Sequence, residues 1–380
     1  MKIAFLTPEY PHPKTGTAGG IGTSIFNLSK ALSALGHEIN ILVYGQNRDY
    51  NFIEEGIRFY IIKNIKVKGL SLFLTQKKVE RLINSLFESG KLDIVEAPDW
   101  TGFTAFVKPK CPLVIRENGS DTYFCYLDNR KVKFNNKFLE KRALKNADGI
   151  ISVSAFTGNL TNKLFKLNRK FTVIPNSIDA SLFEPKPSDS KKLTILYFGT
   201  LIRKKGVLEL PEIFNLVHHS NKDVELILIG KDSGDIKTGS CSTWELMKPL
   251  FHESSLKKVN YLGSVNYSKI QDLIKEATVC VFPTFAEALP VSWLEAMAME
   301  KAIVASNIGW SIEMIEDGKE GFLVHPTHHK QYAERILELL VDEKKRHLFG
   351  KAAREKVKAK FCHDLVARQS IEFYKTILES

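Results

Sequence analysis

The sequence predicts two α/β domains in tandem, each built on a doubly wound parallel sheet. Short runs of β-branched and other apolar residues recur along the whole chain and alternate with helical patterns. These runs are almost continuously apolar, which is typical of parallel strands covered by helices on both faces. The length of 380 residues also suits about two to three domains.

The strand candidates fall into two series. The first half contains KIAFLT, EINILVY, IRFYII, DIVEA, PLVIRE, GIISVS and FTVIP, with helical patterns at Ile21–Leu35 and Lys137–Lys145. The second half contains LTILYFG, VELILIG, VNYLG, TVCVFP, AIVAS and FLVHP. Between them, Ser177–Lys192 is rich in proline and polar residues and predicts a linker. The predicted domains span residues 1–180 and 190–362, and a last helix is expected at Leu365–Leu378.

Charge is distributed unevenly between the two halves. The net charge is +11, and residues 1–185 hold 26 Lys and Arg against 17 Asp and Glu. A basic N-terminal half suits contact with an anionic membrane, a nucleic acid or a phosphorylated ligand, although a solvated lysine-rich surface is an equal alternative. Recognition signatures for nucleic acid are missing, so we expect no nucleic-acid partner.

Features of the whole chain favour a cytoplasmic protein. The N-terminus lacks the apolar stretch of a signal peptide, and no run approaches the ~18 apolar residues of a membrane span. The five cysteines are scattered, which predicts reduced thiols. We expect a cytoplasmic location, with peripheral association at the inner face of the membrane as an extension of it.

The most informative segment is FPTFAEALPVSWLEAMAM, residues 282–299. Glu287 and Glu295 would not share a face of one helix at about 100° per residue. Pro290 suits a first helical turn, however, so a helix starting there leaves Glu287 in the preceding loop and Glu295 inside the helix. Both carboxylates can then hold hydroxyl groups of one ligand. The alternative is two unrelated surface carboxylates, which the apolar helix disfavours.

Two other segments suit a phosphorylated ligand. KTGTAGGIGTS places Gly19 and Gly20 where a helix begins, so backbone N–H groups can approach a phosphate or a sugar. FGTLIRKKG places Arg203, Lys204 and Lys205 after a strand, where fixed cations suit a diphosphate. A flexible turn and a solvated basic turn are the respective alternatives. No Asp-x-Asp motif occurs, so we expect no metal ion and no other cofactor.

These motifs together resemble the family 4 retaining glycosyltransferases of GT-B architecture. The resemblance covers nearly the whole chain. It rests on AGGIG, EAPDW at Glu96–Trp100, VIPNSID at Val173–Asp179, FGTLIRKKG, and the E-x₇-E block followed by EDGKEGFLVHP at Glu316–Pro326. It implies two Rossmann-like domains facing across a cleft. It also implies that residues 363–380 cross back to the N-terminal domain, which would bind the acceptor.

The resemblance also implies roles for individual residues. The C-terminal domain would hold a nucleotide-diphosphate sugar, with Arg203 and Lys205 on the diphosphate and Glu295 on the ribose. Glu287, with the backbone of Ala288 and Leu289, would hold the donor sugar, and Gly19 and Gly20 would close on the phosphates. Transfer would retain anomeric configuration without metal, and the leaving diphosphate would help to deprotonate the acceptor.

Two positions depart from the family pattern. Thr200 stands where relatives often have arginine, so Arg203 is expected to supply the guanidinium. Asn118 stands where relatives tend to have a catalytic histidine, and an amide can bind a sugar hydroxyl but cannot carry a proton.

The predicted function is transfer of a sugar to a glycan or lipid-linked acceptor in cell-surface polysaccharide synthesis. Two alternatives stay open: a nucleotide-sugar 2-epimerase of the same fold, and a catalytically weak sugar-nucleotide binder. The insertion Lys231–Ser255 either shapes the donor pocket or enlarges the domain.

Overall fold

The computed structural model describes residues 1–16, 18–185 and 192–380, with only the backbone at 267 and 268. The chain divides into two compact units. Unit 1 comprises Met1–Ser177 and Cys362–Ser380, and unit 2 comprises Ile178–Phe361. The linker predicted at Ser177–Lys192 lies partly outside the described residues.

Unit 1 is built on an eight-stranded sheet with the order β3-β4-β2-β1-β5-β6-β7-β8. Neighbouring strands are parallel except β3, which pairs antiparallel with β4. The strands are β1 (Lys2–Thr7), β2 (Glu38–Gln46), β3 (Tyr50–Glu54), β4 (Ile57–Lys63), β5 (Ile94–Pro98), β6 (Leu113–Glu117), β7 (Gly149–Ser152) and β8 (Thr172–Val173). Each predicted strand of the first half is present, whereas β3 was missed because its alternate residues are exposed.

Unit 2 is built on a six-stranded sheet with the order β11-β10-β9-β12-β13-β14, and all of its strand pairs are parallel. The strands are β9 (Thr194–Phe198), β10 (Glu225–Ile229), β11 (Val259–Tyr261), β12 (Val279–Phe282), β13 (Ala302–Ala305) and β14 (Phe322–Leu323). Strands β9, β12 and β13 are entirely buried, as their continuous apolar sequences predict.

Helices connect the strands and cover the sheets. They are α1 (Gly20–Ala34), α2 (Ser71–Glu88), α3 (Asp121–Leu127), α4 (Phe134–Asn146), α5 (Ala155–Phe165), α6 (Leu210–Ser220), α7 (Thr243–Met247), α8 (Glu253–Leu256), α9 (Tyr267–Glu276), α10 (Val291–Ala298), α11 (Ser311–Met314), α12 (His329–Val341), α13 (Glu343–Lys360) and α14 (His363–Leu378). No helix among the described residues is both long and apolar enough to cross a membrane.

The C-terminal helix α14 is part of unit 1. Its apolar residues join the core cluster that includes α1 and β1. A buried polar group also joins α14 to the sheet: the guanidinium of Arg116 donates to Glu96 at 2.7 and 3.1 Å, and the hydroxyl of Tyr374 donates to Glu96 at 2.6 Å. Because an unpaired buried charge is costly, this group favours one position for the helix.

Both sheets contain a topological switch point. This is a central strand that has the next strand in sequence on one side and a later strand on the other. In unit 1, β1 lies between β2 and β5, and in unit 2, β9 lies between β10 and β12. Ligands of open α/β sheets bind beyond the carboxyl ends of strands at such points. The glycine loop follows β1 and the basic loop follows β9, so each predicted motif lies at a switch point of its own unit.

Candidate functional site

The basic loop and the E-x₇-E block come together at the switch point of unit 2. The backbone N–H groups of Phe285 and Ala286 donate to the carbonyl oxygen of Lys204 at 2.9 and 3.2 Å. Gly206 has a φ of +67°, and a Cβ at this position would lie 1.6 Å from the carbonyl oxygen of Pro283. Only glycine therefore allows the loop after β9 and the loop after β12 to approach this closely.

The two loops also place a cation against a carboxylate. Lys205 and Glu287 form an ion pair, with 21% and 13% of their side chains exposed. Low exposure strengthens the pair because water screens it less than a surface pair. Ala288 and Leu289, which follow in the same loop, are both buried. The loop after β12 thus carries the carboxylate of a charged pair beside buried apolar residues.

Helix α10 begins where the proline predicted. Pro290 is its N-cap residue and Val291 its first residue, so Glu287 lies in the loop and Glu295 inside the helix. Glu295 is only 4% exposed, and Trp293, Leu294 and Met297 are buried around it. The prediction of a largely buried helix is confirmed.

Arg203, which the resemblance assigns to the diphosphate, already has a carboxylate partner within unit 2. Its guanidinium donates to both carboxylate oxygens of Asp235, through Nε at 2.8 Å and Nη2 at 2.7 Å. The bond to Arg203 is the main cause that holds the pKa of Asp235 well below its usual range. Arg203 is thus oriented by a carboxylate of the 231–255 insertion, and part of its charge is neutralised there.

The insertion is packed onto the basic loop. The N–H of Leu201 donates to the carbonyl of Lys231 at 2.8 Å, and the N–H of Ser233 donates to the carbonyl of Leu201 at 3.1 Å. Asp232 accepts from the backbone of Thr243 at 2.9 Å and so closes the insertion on itself. The insertion is therefore attached directly to the basic loop by backbone hydrogen bonds.

Thr200, where relatives often carry arginine, is exposed next to this contact. Its carbonyl accepts a hydrogen bond from the hydroxyl of Tyr197 at 3.0 Å. A Cβ on Gly230 would lie 1.9 Å from the carbonyl of Gly199, so the ends of β9 and β10 are also in close backbone contact. The backbone around Thr200 is held from both sides, while its side chain is left at the surface.

The glycine loop of unit 1 contains a carboxylate that sequence reasoning missed. Gly19 is the N-cap residue of α1 and Gly20 its first residue. The Oε1 of Glu9 accepts from the N–H of Gly22 at 3.0 Å, and a Cβ on Gly19 would lie 3.2 Å from the same oxygen. An anion therefore already lies at the N-terminus of α1, and it favours a hydroxyl-bearing group over a second anion at that point.

Asn118 lies at the carboxyl end of β6, where buried carboxyl groups surround it. Its backbone N–H donates to the Oδ1 of Asp99 at 3.0 Å. Asp99, Glu117 and Glu140 are each at most 2% exposed. The Asn118 Oδ1, the Asp99 Oδ2 and the Glu117 Oε2 are buried without a hydrogen-bond partner in the part of the chain that the structure describes.

Burial makes these carboxyl groups weak acids. It is the main cause that raises the pKa of Asp99 and of Glu117 well above their usual range, and each also has a neighbouring carboxylate that adds to the effect. Burial raises the pKa of Glu140 to about 7, although its carboxylate accepts hydrogen bonds from Thr122. A charge is expensive in such surroundings, so neutral carboxyl groups are favoured near Asn118.

The backbone beside Asp99 is strained. Thr101 has a φ of +51°, an unusual value for a β-branched residue. Gly102 follows with a φ of +62°, and a Cβ there would lie 2.3 Å from the backbone nitrogen of Glu140. Strain of this kind concentrates at functional sites. The sequence signal for this region was EAPDW, which was noted only as part of the family resemblance.

Among the described residues, no group of three or more His, Cys, Asp or Glu side chains is arranged to hold a metal ion. The charged groups at the unit 2 switch point include Lys205, Arg203 and their carboxylate partners. Two doubly wound units, the second with a cationic loop beside carboxylates at its switch point, are typical of the GT-B class of α/β protein.

Comparison with known families identifies the chain more closely. The family model described as Glycosyltransferase Family 4 matches residues 18–182, and the model described as Glycosyl transferases group 1 matches residues 179–356. Together the two models span most of the chain, which therefore belongs to the family 4 glycosyltransferases with the GT-B fold.

Individual relatives agree with this assignment. An uncharacterized glycosyltransferase of Methanocaldococcus jannaschii is 26% identical, with 100% of this chain and 99% of the relative covered. A capsular polysaccharide biosynthesis glycosyltransferase of Staphylococcus aureus, CapM, is 27% identical, with 63% of this chain and 65% of the relative covered.

Solved structures share the fold along the whole chain. A sucrose-phosphate synthase from Thermosynechococcus elongatus is similar with a TM-score of 0.80 and 20% identity, covering 100% of both chains. Anabaena HepE, solved in complex with UDP-glucose, is similar with a TM-score of 0.75 and 18% identity, covering 99% of this chain and 100% of that one.

Proposed function

We propose that this glycosyltransferase is a retaining enzyme that moves a sugar from a nucleotide-diphosphate sugar to a glycan or lipid-linked acceptor in cell-surface polysaccharide synthesis. One observation carries the proposal. Lys205 and Glu287, from separate loops, pair at the switch point of unit 2, directly before the helix that holds the buried Glu295. UDP-glucose in HepE and the polysaccharide role in CapM's name support this choice of donor and pathway.

Each group in the site has a proposed task. Lys205 and Arg203 would bind the diphosphate, which gives Lys205 a second anionic partner besides Glu287. The Glu287 carboxylate would then accept from hydroxyls of the donor sugar, together with the backbone of Ala288 and Leu289. Glu295 would accept from the ribose hydroxyls. Carboxylates suit these tasks because they accept several hydrogen bonds at once.

The proposed mechanism depends on stabilising the leaving group. Negative charge develops on the diphosphate as the sugar departs, and preorganised cations stabilise that charge without further rearrangement. Asp235 orients Arg203 before the donor binds, and Lys205 is held by Glu287. We propose that these cations suffice without a metal ion, and that the leaving diphosphate takes the acceptor proton with retention of configuration.

Unit 1 has a different proposed task. The carboxylate of Glu9 at the N-terminus of α1 favours hydroxyl groups near Gly19 and Gly20. The buried amide oxygen of Asn118 can accept from a sugar hydroxyl, whereas it cannot move a proton at neutral pH. Unit 1 would therefore position hydroxyl-bearing substrate rather than perform acid–base chemistry.

Nucleotide-sugar binding tests the core of the proposal. We expect one nucleotide sugar from a panel to raise the melting temperature of the wild type, and Glu295→Gln to abolish that rise. Lys257→Gln, at an exposed ion pair of unit 2, is the control and should respond as the wild type does. A panel without any response, or a Glu295→Gln variant that responds fully, would contradict the proposal.

The products distinguish transfer from the alternatives. Donor consumption that requires an added acceptor, with an α-linked product from an α-linked donor, supports retaining transfer. Consumption without acceptor, with the sugar isomerised at C2, would indicate an epimerase. Activity that survives a chelator agrees with a metal-independent reaction, and loss that Mg²⁺ or Mn²⁺ restores would overturn that part.

We also propose a cytoplasmic location and peripheral contact between unit 1 and an anionic membrane. The observation behind it is the excess of Lys and Arg in residues 1–185, 26 against 17 acidic residues. A lipid-linked acceptor would make such contact useful, because the enzyme and its substrate would meet on one surface.

A further inference from the structure

Helix α4 of unit 1 carries two phenylalanines on its exposed face. Phe134 is 80% exposed and Phe138 is 49% exposed. The opposite face packs inward, since Glu140, Ala143 and Leu144 are buried. Single exposed apolar residues are common on protein surfaces. Two phenylalanines one turn apart on the same exposed face are a more specific feature.

Basic residues surround the two phenylalanines. At about 100° per residue, Lys141 and Lys145 lie within about 20° of Phe134, and Lys137 lies about 60° away. Lys131 and Lys133 immediately precede the helix. None of these five lysines takes part in an ion pair with another described residue. Lys131, Lys133, Lys137 and Lys145 are exposed and Lys141 is half-buried, so most of this charge faces solvent without an ion-pair partner among the described residues.

The acidic residue of the helix does not offset this charge. Glu140 is fully buried, and its carboxylate accepts from the N–H of Asp121 at 2.8 Å and from the N–H of Thr122 at 3.2 Å. Burial raises its pKa to about 7. The exposed face of α4 thus combines aromatic side chains with a local excess of positive charge.

The helix is firmly attached to unit 1. The Nε of Arg142 donates to the carbonyl of Ala105 at 2.9 Å, and the Nδ2 of Asn136 donates to Asp121 at 2.8 Å. Gly102 lies directly against the backbone of Glu140. The aromatic and basic side chains are therefore presented on a rigid element, so binding through them orders little additional chain.

The surface continues from α4 toward α2. The guanidinium of Arg142 lies over the ring of Phe106 at 4.6 Å, and Phe106 contacts Phe73 at 5.8 Å between ring centroids. Phe73 is 43% exposed and Leu70, just before α2, is 53% exposed. Arg142, Phe106 and Phe73 thus form a series of contacts that runs from α4 to α2.

We propose that this surface, α4 with the start of α2, docks on an anionic lipid bilayer. Phe134 and Phe138 enter the interface, and the lysines of α4 lie against the lipid phosphates. Interfacial helices that bind membranes combine these two residue classes, and basic residues near the surface add attraction to anionic lipids. A soluble anionic polymer would use the charge but gain nothing from exposed phenylalanines. The inference deepens the membrane contact under the proposed function and names its surface.

Vesicle co-sedimentation tests the surface. We expect the wild type to bind vesicles of phosphatidylcholine with phosphatidylglycerol at least tenfold more tightly than pure phosphatidylcholine vesicles, and more weakly as salt rises. Lys137→Gln with Lys141→Gln, and separately Phe134→Ser with Phe138→Ser, should each weaken binding several-fold. The matched controls in unit 2, Lys257→Gln with Lys358→Gln and Ile312→Ser with Leu348→Ser, should bind as the wild type does.

Two further measurements complete the test. Phe134→Trp should show a blue shift of its fluorescence on adding anionic vesicles, beyond that of the wild type. The nucleotide-sugar response should be unchanged in every α4 variant, so failure of donor binding and failure of docking are distinguishable. Full vesicle binding by the phenylalanine variant would overturn the proposal. So would binding to heparin that is as tight as vesicle binding and insensitive to the phenylalanines.

Discussion

The switch points of the two units handle charge in opposite ways. In unit 2, Lys205 pairs with Glu287 and Arg203 with Asp235, so cations and carboxylates lie close together in half-buried surroundings. In unit 1, Asp99 and Glu117 are buried beside Asn118 with an oxygen each that has no partner among the described residues. Burial raises the pKa of both carboxyl groups.

The difference teaches what each unit is suited to bind. Fixed cations that already pair with carboxylates suit an anionic ligand. The ligand has the same negative charge as those carboxylates, so it can replace them or bind beside them. Neutral carboxyl and amide groups suit hydroxyl groups, because they exchange hydrogen bonds without a change of charge. The carboxyl ends of the two sheets thus present opposite electrostatics. The predictions below test this contrast from the largest expected effect to the smallest.

Lys205→Met should have the largest effect on function. It removes a hydrogen-bonded cation from a partly buried site, a change that typically costs about 2–5 kcal/mol in binding. We expect kcat/KM for the donor to fall by roughly two to three orders of magnitude. Steady-state kinetics with the donor varied measure this. Lys257→Met, which removes an exposed lysine of the same unit, should leave kcat/KM within about twofold.

Gly206→Ala should have the largest effect on stability. The new Cβ would overlap the carbonyl of Pro283 and would also place alanine at a φ of +67°. We expect the free energy of unfolding to fall by about 3 kcal/mol. Gly318→Ala is the matched control, because its φ is +80° but nothing lies within 4 Å of its Cβ. Urea denaturation of both variants separates overlap from backbone strain, and equal losses would contradict the close loop contact.

Asp235→Ala tests whether the insertion serves the site. Without Asp235, Arg203 loses the carboxylate that orients it, and we expect donor affinity to fall about tenfold. Arg203→Ala and the double variant should lose donor affinity to a similar extent, since Asp235 acts through the guanidinium of Arg203. Calorimetric titration with the nucleotide measures all three. Additive losses would show that Asp235 acts independently of Arg203.

Asp99→Asn should produce the smallest effect when stability is measured near pH 4, and only a pH series reveals the rest. The pKa of Asp99 is raised in the folded protein, so its contribution to stability is complete below the usual pKa near 4 and is lost as pH rises toward the folded value. When a group is protonated in the folded protein and ionised in the unfolded chain, the free energy of unfolding falls by at most about 1.4 kcal/mol per pH unit. The variant should therefore show a flatter decline in the free energy of unfolding above pH 4.

Urea denaturation between pH 4 and 8 checks this sign. Asparagine keeps the oxygen that accepts from the N–H of Asn118, so loss of packing is not expected. If Asp99 made the free energy of unfolding of the wild type rise across this range, the result would contradict a raised pKa for its buried carboxyl group. Glu140, with a pKa of about 7, adds a decline of the same sign in the wild type and in the variant.

Much of the fold was predictable because local patterns dictate it. The strands that the structure shows, apart from β3, were marked by apolar runs, and α10 begins at the proline that the sequence marks as a helix start. The position of Glu287 outside α10 and Glu295 inside it follows from that start alone. These features depend on neighbours in sequence, so a single sequence contains them.

Side-chain partners from distant parts of the chain were not predictable. Asp235 lies 32 positions from Arg203, and nothing local marks it as a partner. Glu9 was missed at the glycine loop for a related reason, since only the fold of the loop brings its carboxylate to Gly22. The buried carboxyl groups near Asn118 come from three separate segments, so their shared burial has no sequence pattern.

The sequence by itself determined the two doubly wound units, the switch-point loops and the residue types that we propose to face a diphosphate and a sugar. Periodicity, glycines and prolines act over a few residues and leave a local trace. Only the tertiary structure decided that Arg203 pairs with Asp235, that burial raises the pKa of the carboxyl groups around Asn118, and that α4 exposes its phenylalanines among lysines. Burial and pairing depend on which distant segments meet, and that is settled by packing.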